Sequence, residues 1–245
     1  YLDSAPVVAL RNLTLKNGTV GIRAALADYG LAEWVRSIRC TIGFDIADSD
    51  SFEFNHCVAS ENTFKGLSVE NSRAVTWRQG IFWSNLTYGA YLADPNYHSS
   101  SLTIENSAFG CFGSNAFAAL RVAGTWSSDY NSFYLRNGAF AAGTIPAQWY
   151  GANTTRYETI YLWSKSTLQD LHSLTSTSGP AFANTLSGDF HLKTMYPSGR
   201  YDSVVKTWTN DNQISHLIDA GRPTSAYTNE PSPNGSRINV GLYGN

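Results

Sequence analysis

The densest group of carboxylates in the sequence is Asp45, Asp48, Asp50 and Glu53. Calcium binding requires several carboxylate oxygens converging on one point. Asp48 and Asp50 stand where turn formers stand, so the group reads as a solvated corner rather than a metal site, and no metal or cofactor is expected. Glycoside hydrolysis requires two carboxyl groups facing one cleft; Glu70, Glu105 and Asp94 lie on or beside strands, with no spacing that pairs any two. The five histidines His56, His98, His172, His191 and His216 are scattered, and His172 and His191 read as buried hydrogen-bonding groups. No Gly-x-Ser-x-Gly elbow or phosphate loop occurs, which removes serine hydrolase and nucleotide chemistry. The chain therefore leans away from an enzyme.

Aromatic residues are the remaining feature, with 7 Trp, 14 Tyr and 12 Phe. Trp and Tyr stack on sugar rings as on other flat apolar faces, and a shallow groove lined with them binds glycans without doing chemistry. Trp77, Trp83, Tyr88 and Tyr91 lie close together, and Trp126, Trp149, Tyr150, Tyr157, Tyr161 and Trp163 crowd a later segment. Wide turns of a coil also bury aromatics, so burial is expected of single rings and exposure of part of the set.

The elements that must carry these residues repeat. Gly, apolar, variable, apolar recurs as Gly21-Ile22-Arg23-Ala24, Gly43-Phe44-Asp45-Ile46, Gly66-Leu67-Ser68-Val69 and Gly89-Ala90-Tyr91-Leu92, and with Ala for Gly as Ala119-Leu120-Arg121-Val122. Alternation of this kind is the signature of a strand with one buried face. Steps of 22 or 23 residues, and then 30, imply a coil in which each turn supplies short parallel strands stacked on their equivalents. Ile22, Phe44, Leu67, Ala90 and Leu120 should form one interior ladder, and Ala24, Ile46, Val69, Leu92 and Val122 another. Asn17, Asn62 and Asn85 are expected to bridge turns at a corner, and Asp48, Asn71 and Asp94, with Gly124, to form a second polar set. The outward column is then Arg23, Asp45, Ser68, Tyr91 and Arg121, with Ser68 tolerant of substitution.

Composition agrees. Charged residues are only 15% of the chain, and the polar surface is built from 28 Ser, 19 Asn and 20 Gly, which argues against long amphipathic helices. A net charge of −2 with no basic run excludes a nucleic-acid surface. No stretch approaches the roughly 18 apolar residues of a membrane span. Cys40, Cys57 and Cys111 fit neither a zinc knuckle nor a redox pair and read as buried single thiols. The sequons at Asn12, Asn17, Asn85, Asn153 and Asn234 matter only in a glycosylating host.

On these repeats, over about residues 7–126, the sequence resembles the right-handed parallel β-helix superfamily that includes pectate lyases and many secreted bacterial repeat proteins. A series of tail motifs adds to the likeness: Ser128-Asp129-Tyr130-Asn131, Asp170-Leu171-His172-Ser173-Leu174, Gly188-Asp189-Phe190-His191-Leu192, Asp219-Ala220-Gly221-Arg222-Pro223, and Glu230 through Gly244. It implies an all-β solenoid in one domain, 1–245, with irregular turns and a cap over about 127–245, in which Phe182, Phe190 and Leu192 continue the core. About 18 residues inserted after Arg200, through Asp211 and His216, and the segment 141–166, depart from a simple coil. Val7 to Leu15 read as an uncapped turn, so the parent protein is expected to continue upstream.

The likeness also implies a secreted or cell-surface location, and a polysaccharide as partner. Arg23, Asp45, Tyr91, Arg121, Trp149 and Trp163 are the expected ligand-binding residues. The alternatives that stay open are a polysaccharide lyase or glycoside hydrolase, and a structural rod whose open end self-associates.

Overall fold

A computed structural model gives the fold and describes residues 2–4, 7–93, 100–111, 120–121, 124–135, 149–150, 156–157, 159–228, 230 and 235–243. Strands hold 46% of the chain and helix 6%, in a parallel β-solenoid of about five turns. Each complete turn lays one strand in each of three sheets. In the fourth turn these are Lys65–Glu70 in sheet A, Val75–Arg78 in sheet B and Ile81–Trp83 in sheet C. Sheet A registers Ile22 with Phe44, Phe44 with Leu67, Leu67 with Ala90 and Ala90 with Leu120, so the ladder read from the repeats is present across its longest interval. Ile22, Phe44, Leu67 and Ala90 are buried, as are Ala24, Ile46, Val69 and Leu92. Val122, Asp94 and the loop beyond Cys111 lie outside the described residues.

The sheets meet at three corners that share one device. Between sheets B and C, Asn12, Trp34, His56, Gln79, Asn106 and Tyr130 take φ of +50° to +56°. Left-handed backbone costs a non-glycine residue about 1 kcal/mol. Here it turns the chain sharply while keeping the amide bonded to the next turn, as Trp34 N–H does to Asn55 O at 3.1 Å. The following residue points inward. Ser49, Ser72 and Ser100 form a hydroxyl ladder at the A–B corner: Ser49 Oγ accepts from Ala27 N, Ser72 Oγ from Ser49 N and Ser100 Oγ from Ser72 N. At the C–A corner Asn62 Nδ2 donates to Asn85 Oδ1 at 2.8 Å, and Asn62 Oδ1 accepts from Cys40 N.

Asn17 is not in that ladder. It holds the left-handed position at φ +60°, in line with Arg39 and Glu61, and is exposed. One extra residue between Asn62 and Gly66 makes the two asparagines appear equivalent when counted back from the glycines. Buried Cys40 and Cys57 carry free thiols, and burial pushes the Cys57 thiol up to about 12.

The end of the coil is closed by the helix Ile160–Thr167, capped by Thr159, whose Oγ1 accepts from Leu162 N. Its Trp163 packs into the main core and its indole donates to Asp170 Oδ2 at 2.9 Å. Asp170 also accepts from Ser128, Ser173 and Asn131 at 2.7–3.2 Å, and burial still raises its carboxyl above the ordinary range.

The tail does not continue the coil as expected. Phe182–Asn184 and Asp189–Leu192 pair antiparallel. Phe182, Phe190 and Leu192 join Leu217, Val240 and Leu242 on the outer face of sheet C, against Val58, Ile81, Trp83 and Ala108. Sheet C thus has apolar residues on both faces, and this second core is why its strand Ile81–Trp83 is buried throughout. The tail runs back along the coil. Asn106, in the fifth turn, bonds Arg222 N and Ser225 Oγ; Arg36, in the second, donates to Gly188 O and to the Tyr243 hydroxyl.

Candidate functional site

The glycine of each repeat breaks the alternation of its strand. At Gly43 an added Cβ would lie 2.5 Å from Gly66 O and 2.9 Å from Asn62 Nδ2, so the position faces the corner and admits only hydrogen. The residue before it therefore faces outward and makes a column that alternation counted from the glycine does not show: Val20, Ile42, Lys65 and Tyr88, in register. A third outward column is Ala25, Ala47, Glu70 and Ala93. Between them run Arg23, Asp45, Ser68 and Tyr91.

These columns converge on Lys65. Its ammonium donates to Ser68 Oγ and Glu70 Oε1, both at 3.0 Å, and lies 3.7 Å from the centroid of the Tyr91 ring. Ser68 Oγ donates in turn to Glu70 Oε1 at 3.1 Å. Tyr91 packs on Tyr88 with centroids 5.5 Å apart, and Tyr88 reaches the half-exposed Phe64 at 6.2 Å. On the other side Arg23 Nε stands 3.6 Å from Asp45 Oδ2. Burial is the largest influence on Asp45 and holds its carboxyl above the ordinary range, with Glu70 pushing the same way and Arg23 and Lys65 opposing. Ser68 is not the open position that was expected. Its exposure is 0%, because the Lys65 side chain lies across it.

Of the expected binding residues, the fold brings Arg23, Asp45 and Tyr91 onto one face. Arg121 pairs with Tyr91 in the next turn, and its side chain lies outside the described residues. The side chain of Trp149 is likewise outside them; its backbone registers with Leu120, in the column that points inward in earlier turns. Trp163 is set apart from the face, at 1% exposure under the closing helix, where its ring is enclosed by protein. Lys65, Glu70 and Tyr88 complete the site.

The acidic group divides. Asp45 faces outward on sheet A, Glu53 is exposed on sheet B, and Asp48 and Asp50 sit at the corner between them. Asp48 accepts from Asn71 at 3.2 Å, and Asp50 is doubly bonded by Arg73, whose hydrogen bonds hold the Asp50 carboxyl below its ordinary range. Glu105 is engaged by Arg78 and Arg222. His191 bonds Asp189 at 2.6 Å and is mostly buried, whereas His172 bonds Asp129 at 2.7 Å from an exposed position. Comparison of the chain with protein-family models, with curated proteins and with solved structures finds no match.

Proposed function

We propose that the protein is an extracellular, polysaccharide-interacting β-helix module that binds its ligand along the outer face of sheet A. One observation carries the reading: four successive turns present Arg23, Asp45, Lys65 with Glu70, and Tyr88 with Tyr91 side by side, a strip of charge and aromatic surface that stacking of the coil does not require. Stability alone would be served by small residues there, as at the neighbouring Ala25, Ala47 and Ala93. Guanidinium, ammonium and carboxylate groups hydrogen-bond sugar hydroxyls, and a ring edge offers apolar contact to the sugar C–H face. Each contact contributes about 1 kcal/mol, so several turns act together to reach even millimolar affinity. The low content of charged residues agrees with a secreted or surface location.

Affinity electrophoresis through gels containing polygalacturonate or a neutral β-glucan tests this. Retardation of the parent that is lost in a folded Asp45→Asn, Tyr91→Ala variant supports the reading; equal mobility of parent and variant in every gel sinks it. A second reading, glycoside cleavage, draws on Asp45 and Glu70, on adjacent strands of one face, with the Asp45 carboxyl held above its ordinary range and Glu70 paired with Lys65. A carboxyl held above its ordinary range suits a proton donor, and cleavage needs a second carboxyl facing the same cleft. Appearance of reducing ends that Asp45→Asn abolishes would establish cleavage over binding.

A further inference from the structure

We propose that the inserted hairpin Arg200–Asp202/Thr207–Thr209 is a separate platform for a neutral pyranose chain, with Tyr201 and Trp208 as its stacking surface. The hairpin pairs Arg200 with Thr209, Tyr201 with Trp208 and Asp202 with Thr207, so Tyr201 and Trp208 share one face and Arg200 and Asp202 lie on the other. A hairpin attached to a protein ordinarily turns its apolar face inward and its polar face to water. This one is reversed. Arg200 is buried at 7% and bonds Asp211 through Nε at 2.9 Å and Nη2 at 3.2 Å, while Tyr201 and Trp208 stand 40% and 50% exposed.

The inversion gains nothing for folding, because it exposes two large rings and buries an ion pair, whose desolvation offsets most of its attraction. It does hold the rings firmly. Asp211 Oδ2 also accepts from Thr194 N, and Asp202 Oδ1 accepts from the amides of Val204 and Val205, which fixes the turn. Tyr201 and Trp208 meet at 71° with centroids 6.1 Å apart. That angle leaves a corner in which a sugar C–H face lies on the indole while ring hydroxyls meet the phenol oxygen.

The ligand class follows from charge. Both charges of the two strands are engaged, Arg200 by Asp211 and Asp202 by the turn amides and Arg200, so neither strand offers a cation to hold a uronate. The hairpin's remaining cation, the exposed Lys206, belongs to the turn, with a left-handed backbone. The platform takes from the sheet A reading only the general class of ligand and shares no residue with that site.

The test uses the whole chain, with a soluble neutral β-glucan and polygalacturonate as probes, and parent-like circular dichroism required of each variant. A tenfold or greater loss of affinity for the neutral glucan in Trp208→Ala, with retention in Trp208→Phe and in Asp45→Asn, Tyr91→Ala, is the expected result. Parental affinity for the neutral glucan in Tyr201→Ala, Trp208→Ala would overturn the platform. If the sheet A variant alone then loses binding, the sheet A reading stands; if the parent binds neither probe, both fall. A parent that light scattering shows to be dimeric, and that Trp208→Ala renders monomeric with glucan binding unchanged, would also overturn it and assign the hairpin to a second copy.

Discussion

Trp34 and His56 occupy the same corner position in consecutive turns, both with left-handed backbone, and stack with centroids 4.3 Å apart at 16°. Tyr243 of the tail lies 5.6 Å from Trp34 and stacks on His191 at 3.8 Å, so a run of four rings ties the coil to its strap.

Burial lowers the tendency of His56 to take a proton. A histidine whose folded value is depressed is fully stabilising above its unfolded value, near 6.5, and the contribution is lost as pH falls below that. The thermal midpoint of the parent should therefore fall between pH 7 and pH 5.5 by more than that of His56→Phe, which keeps the ring and lacks the proton. Equal falls in the two proteins would show that His56 does not titrate against folding.

Glu230 behaves in the opposite sense. Burial pushes its carboxyl from 4.5 up to about 7, with Asp219 nearby adding to the effect. The folded protein holds this proton where the unfolded chain has released it, so stability declines as pH rises from about 4.5 through 7. Allowing for partial exposure, the loss is about 1–2 kcal/mol. Midpoints in urea across this range should slope downward in the parent, and Glu230→Gln should remove that part of the slope.

Leu67→Asp should abolish folding, since it places an unpaired charge between Phe44 and Ala90 in the interior ladder. Ser68→Asp should lower stability by about 1–3 kcal/mol, because it inserts a carboxylate beside Glu70 beneath Lys65. Circular dichroism and urea titration read both; a silent Ser68→Asp would show that Lys65 does not cover that position in solution.

Asp170→Ala should cost about 2–4 kcal/mol, leaving the Trp163 indole and the Ser128 and Ser173 hydroxyls without their shared acceptor. Asp170→Asn, which keeps part of the set, should cost less. The order of the two in chemical denaturation checks the hub.

Chelator should leave the thermal midpoint unchanged, because Asp48 and Asp50 are satisfied by Asn71 and Arg73 rather than converging with Asp45 and Glu53. A drop of several degrees that calcium restores would assign the corner to a metal.

The interior ladders were legible because a two-residue period and a turn of 22 or 23 residues both survive in the sequence, so Leu67 and Val69 could be placed inside without coordinates. The corners were only partly legible. Left-handed backbone is imposed by the stack and is held here by Trp34, Arg39 and Leu26 as well as by Asn, so residue type does not mark it. The outward face of sheet A, counted from Gly onward, shows the column of Arg23, Asp45 and Tyr91. That count misses the column of Lys65 and Tyr88, because the inward-facing glycine shifts the alternation by one. The outer core on sheet C had no period to find: Phe182, Phe190 and Leu192 meet Trp83 across about a hundred residues of chain, by packing alone.

The returning tail changes how the coil can come apart. A solenoid held only by contacts between neighbouring turns opens from its ends, one turn at a time. A strap fastened to Asn106 and again to Arg36 crosses those boundaries, so the turns between them cannot separate until it lifts. Peeling from the C-terminal end and release of the middle turns thereby become one event. The first turn, Val8–Lys16, precedes the last fastening and should exchange its amide hydrogens well before the rest. Under load the molecule should behave as a buckled belt, yielding at the clasp formed by Arg36, Gly188 and Tyr243 before any strand of sheet A gives way.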